Sequence, residues 1–179
     1  MTAHILRRVG VGVLSGASGG MATGIGARVA MRMVADAIGK FGEFTIEGTL
    51  IIILLGIILG SALGVLYVAV EPFLPGGPLV RGLVFGVALL VVLGLPMLLQ
   101  PATGELALAP ELGKRLFGAL FVVEGVGIAL AESLCDRRLQ PPRRALSSVL
   151  GYGLLLALGV LGLGMFALMF ATVVFGPGN

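Results

Sequence analysis

The chain has 179 residues, 58% of them hydrophobic and 12% charged, with a mean hydropathy of +1.11. A globular domain is about 25% charged, so this chain carries more apolar surface than one soluble core of its length can hide, and its long apolar runs make lipid its solvent. The net charge of +3 does not mark a nucleic-acid binder, because the basic residues sit at the ends of apolar segments, where they set orientation. The single Cys135 excludes an internal disulfide and a Cys-clustered zinc site, and His4 has no second ligand at metal spacing.

The first apolar segment, residues 9–39, follows Arg7 and Arg8 in the manner of a signal peptide, but it runs well past the length of one and is read as retained. Gly12, Gly16, Gly20 and Gly24 recur every four residues, and Arg28 and Arg32 continue the row. Ser15, Gly19, Thr23 and Ala27 form a second small-residue row beside it. In lipid, such rows let helix backbones approach closely. Residues 9–20 also have the outline of the strand and glycine turn of a short-chain dehydrogenase. Position 22 is Ala where that pattern needs Gly, Tyr67 and Tyr152 lack a Lys four residues on, and no strand–helix alternation follows, so phosphate binding is set aside.

The second segment, residues 45–70, carries Gly48, Gly56, Gly60 and Gly64. With a short connection around Lys40, the first two segments are expected to form an antiparallel hairpin in which residue numbers adding to about 80 lie at one depth. Gly24 then faces Gly56, Gly20 faces Gly60, Gly16 faces Gly64, and Arg32 stands level with Glu47 and Gly48. Glu71-Pro72 and Pro75-Gly76-Gly77-Pro78 end this segment.

The third segment, residues 79–99, opens near Arg81, and Pro96 is expected to kink or end it. Residues 100–114 form the longest polar connection. Its Leu106, Leu108 and Leu112 suggest a stretch lying on the membrane surface. The fourth segment, residues 115–134, carries Glu124 at its middle and Glu132 near its end, and a charged loop holding Arg137, Arg138, Arg143 and Arg144 follows. The fifth, residues 145–175, is long enough to be tilted.

Arg7, Arg8, Arg81, Arg137, Arg138, Arg143 and Arg144 would lie on one side of the membrane, against Lys40, Lys114 and Arg115 on the other. The positive-inside rule then puts the N-terminus in the cytoplasm and the C-terminus outside. An excess of Arg over Lys, with abundant Gly, Ala, Val and Leu, fits a bacterial inner-membrane protein. No internal repeat of the kind found in many transporters is evident.

The candidate polar or ion-pair site within the membrane is Arg28, Arg32, Glu47, Glu124 and Glu132. Arg28 is seven residues from Met21, the centre of its segment, and so lies about 10 Å toward the outer face. An Arg at the centre costs about 2.5–3.5 kcal/mol on insertion scales, and a paired acid reduces that cost. Arg28, Arg32 and Glu47 therefore read as a structural ion-pair cluster, as an anion or lipid-headgroup site, or as snorkelling side chains. A carboxyl at bilayer mid-depth is protonated, paired or hydrated. Glu124 is either a structural group bonded to a backbone carbonyl or the site of an ion or substrate. Glu132 is expected to be satisfied by Arg81 or by the 137–144 loop.

The expected fold is an all-α integral membrane protein. It forms a single domain over residues 1–179, a bundle of about five transmembrane helices around a glycine-ridged hairpin of helices 1 and 2. The expected role is that of a small polytopic membrane protein without catalytic machinery, an accessory or interaction subunit of a membrane assembly. The alternative is a small transporter or channel-like protein working through Glu124 in a polar cavity between the first, second and fourth helices. No catalytic residue, cofactor, metal or nucleic acid is expected, and the partners are the lipid bilayer and other membrane subunits.

Overall fold

The computed structural model describes residues 2–39, 45–99 and 109–138, with side chains over 7–39, 45–99 and 109–135. Among the described residues every regular element is a helix. They are α1 (Thr2–Ala37), α2 (Ile46–Val70), a 3-10 turn (Glu71–Phe73), α3 (Pro78–Leu89), a π turn (Leu90–Gly94), α4 (Leu95–Leu98) and α5 (Pro110–Arg138). The connection around Lys40, residues 100–108, the loop beyond residue 138 and the fifth segment at 145–175 lie outside the described residues.

Local chemistry accounts for most of the boundaries. Gly39 takes a left-handed φ of 69° and its N–H bonds the Asp36 carbonyl at 3.1 Å, an ending that suits glycine. Pro78 and Pro110 each open a helix, where a missing N–H leaves nothing unsatisfied. As a result α5 starts five residues earlier than the fourth segment was expected to. Pro96 does not end its helix, which continues to Leu98. The accommodation comes one turn earlier. Pro96 has no N–H to offer the preceding turn, and the Leu95 N–H reaches back five residues to the Leu90 carbonyl in a π turn.

Three of these helical stretches are long and apolar enough to cross a membrane: Ile46–Phe73, Pro78–Leu98 and Pro110–Cys135. The chain is thus membrane-embedded and all-helical over the described residues, with three such spans among them; the fifth expected segment lies outside the described residues. At 36 residues α1 has the length, but Gly, Ser, Thr and Ala at its packing positions dilute its hydropathy.

Those small residues make α1 the central helix, packed against α2 on one side and α5 on the other, with α3 on the far side of α5. The first row meets α2. A Cβ on Gly20 would fall 2.0 Å from the Gly56 carbonyl oxygen, one on Gly60 would fall 2.6 Å from Gly20 Cα, and one on Gly64 would fall 2.7 Å from Gly16 Cα. The second row meets α5, where a Cβ on Gly19 would fall 2.9 Å from Ile128 Cγ1. A third close approach joins α5 to α3, since a Cβ on Gly125 would fall 2.4 Å from Gly86 Cα. Glycine inside a helix costs about 1 kcal/mol relative to alanine. Here that cost is offset by backbone contact, the main attraction available between helices in lipid.

At one end of the bundle α2, α3 and α5 close around Leu63, Tyr67, Val68, Phe85, Leu89, Ile128 and Ala129. Tyr67 and Phe85 meet edge to face at 5.1 Å there. The start of α1, the end of α2, the start of α3 and the end of α5 all lie at this end.

Candidate functional site

Two clusters of polar side chains stand at opposite ends of the bundle, and a third polar group lies between them. At the closed end, Glu71 is held by two arginines. Arg8 Nη2 donates to its Oε2 at 2.7 Å, and Arg81 Nη1 donates to its Oε1. The Glu71 side chain is only 16% exposed. The turn after α2 positions it, and the antiparallel course of α1, α2 and α3 brings residues 8, 71 and 81 to one level.

At the other end the cluster expected from the register is differently wired. Arg28 Nε donates to Thr49 Oγ1 at 3.1 Å. Arg32 Nε pairs with Asp36 Oδ1 at 3.1 Å, one helical turn further along α1. Glu47 is level with Arg32 but exposed at the start of α2. The sequence reading missed Asp36 and Thr49. Asp36 was legible as the acid four residues after Arg32. Thr49 was not, because nothing local ties it to Arg28. Glu132 is partly buried on α5 near Tyr67, while Arg81, one of its expected partners, turns to Glu71.

Glu124 is the outlier. It is 4% exposed, and among the described residues neither carboxyl oxygen has a hydrogen-bond partner. Its Oε1 lies against α1, 3.4 Å from where a Cβ on Gly19 would be. Thr23, one turn along α1, is near enough to influence the carboxyl, but its buried hydroxyl completes no hydrogen bond either. Two other buried polar side chains among the described residues behave differently. Ser15 donates to the Gly12 carbonyl at 3.0 Å and Ser61 to the Ile57 carbonyl at 2.7 Å, each satisfied within its own helix.

Glu124 and Thr23 line a partly open cavity of about 340 Å³ between α2 and the π turn and α4, floored by α1 and α5. Its remaining walls are aliphatic, thioether and aromatic side chains with glycine and proline, among them Leu55, Leu59, Met97, Phe117 and Phe121. The expected site between the first, second and fourth helices is therefore corrected in two respects. The third segment supplies one wall, through Leu93, Pro96 and Met97, and the lining is apolar apart from Thr23 and Glu124. The π turn that Pro96 brings shapes this wall, and such turns are frequent at functional sites. No group of three or more metal-ligating side chains occurs among the described residues.

Comparison with known protein families, curated proteins and solved structures finds no match for this chain. Its class rests on its own architecture, a membrane-embedded helical bundle with a buried carboxyl at the end of an apolar cavity.

Proposed function

We propose that this is a small polytopic inner-membrane protein without catalytic machinery, acting as an interaction subunit of a membrane assembly. In this reading five spans cross the membrane, the glycine ridges hold the central hairpin together, and the N-terminus is cytoplasmic. The observation that carries it is the chemistry of the space around Glu124. A path for ions needs polar groups along its length, whereas this cavity offers only Thr23 and Glu124 among apolar walls. The exposed Leu50, Ile51 and Leu54 on the outer half of α2 add an apolar stripe that suits a neighbouring helix or lipid chains.

Purification from native membrane in mild detergent, after photo-crosslinking from Leu50 or Leu54, tests the proposal. A discrete adduct with one membrane protein is the expected result. Lipid adducts alone at both positions would sink it. A second reading, transport through Glu124, draws on the unpartnered carboxyl, since ionisable groups inside a membrane so often mark pathways.

A further inference from the structure

The features of the Glu124 cavity converge on a ligand. A buried carboxyl without a partner is costly and ordinarily finds a hydrogen bond within its own bundle. Here, among the described residues, neither the carboxyl nor the Thr23 hydroxyl completes a hydrogen bond, and both stand beside the same space. That space, at about 340 Å³, falls within the size of small-molecule sites, and it has the apolar lining with few polar groups that such sites share. One of its walls is built from an irregular helix segment.

We infer that this cavity binds a lipophilic amine, a compact apolar body carrying a protonated amino head that pairs with Glu124. The polarity of the head follows from the donors and acceptors present. An ionised carboxylate only accepts hydrogen bonds, and a hydroxyl accepts as well as donates, so a head with several N–H donors satisfies Glu124 and Thr23 together. Among the described residues no basic side chain lines the cavity, so the countercharge comes from the ligand. Phe117 and Phe121 present aromatic surface, which attracts a cation further. An anionic head would meet the carboxylate with like charge and is rejected. Since both carboxyl oxygens are covered in the unliganded chain, binding includes a side-chain rotation that turns Glu124 into the cavity. The inference rests on neither reading of function, because a bound amine serves equally as cargo or as a regulator of assembly.

The test compares three cage compounds of one shape, 1-aminoadamantane, 1-adamantanol and 1-adamantanecarboxylate, by equilibrium dialysis against the full-length protein in nanodiscs of neutral lipid. Empty nanodiscs measure the contribution of partition into lipid. The amine is expected to bind saturably and at least tenfold more tightly than the alcohol, with no saturable binding of the acid. Glu124→Gln, which keeps the shape, should cut amine affinity at least tenfold and leave the alcohol within twofold. Leu55→Trp, at a partly exposed position in the cavity wall, should abolish binding of both, and its thermal transition shows that the variant is folded. Equal amine affinity in wild type and Glu124→Gln overturns the inference. So does the lack of saturable amine binding to wild type.

Discussion

Glu71 illustrates how a membrane protein uses a single acid to manage two arginines. Two guanidiniums converge on it at the closed end of the bundle, where both arginines are partly exposed but the carboxylate itself is largely covered. Glu71→Gln should lower stability in detergent by on the order of 1 kcal/mol, the upper end for partly exposed pairs. The loss should be smaller when Arg81 is already Gln, because the remaining charge is then less crowded. Strictly additive melting shifts in that cycle would mean that the pair contributes nothing. At the opposite end, Arg32→Gln and Asp36→Asn should couple by about 0.3–0.5 kcal/mol, as helical pairs four apart do, while Arg32→Gln and Glu47→Gln should simply add. Coupling confined to Glu47 would restore the pairing suggested by register alone. Asp36 could be found by counting four residues from Arg32. The Arg28–Thr49 bond could not, because it depends on how far α2 is rotated about its own axis.

Among the helices, α1 carries the most packing yet is not apolar enough to count among the three candidate spans, and the two properties share one cause. Glycine at every fourth position removes apolar side chains and lets α2 reach the backbone. The second small row does the same for α5. Gly20→Ala should therefore be strongly destabilising, since its methyl would sit 2.0 Å from the Gly56 carbonyl oxygen and both helices would have to separate. Gly118→Ala is the contrasting case. Its methyl would meet only Leu90 and Leu98 side-chain atoms at 3.6 Å, an ordinary contact, so the better helix propensity of alanine should raise stability by up to about 1 kcal/mol. Thermal melts of the two variants in detergent check both signs, and a stabilised Gly20→Ala would remove the case for close backbone contact between α1 and α2.

In the bundle as a whole, the helix directions bring Arg7, Arg8 and Arg81 to the end where α5 finishes with Arg137 and Arg138. In the proposed orientation, which follows the positive-inside rule, that end is the cytoplasmic one. With five spans, a C-terminal reporter active only in the cytoplasm should be silent at Asn179 and active when fused after Arg138. Strong activity at Asn179 would mean that either the number of crossings or their direction differs from the proposed one.

Much of this protein follows from its sequence alone. Lipid as solvent, the helical class, the two turns around Gly39 and Pro75–Pro78, and the register that sets Gly20 against Gly60 rest on composition, on helical period and on the absence of a Cβ, which are properties local to a residue or one helix. That the second small row faces α5, the junction of Gly86 with Gly125, and the convergence of Arg8 and Arg81 on Glu71 were decided only when four helices packed at once. The same holds for the cavity. Glu124 stands out in the sequence as an acid at mid-membrane depth, but whether it found a partner depended on what α1 placed beside it. The space next to it exists because α2 and α4 stand apart in the half of the bundle away from the Tyr67–Phe85 contact. No periodicity within one segment encodes the gap between two others.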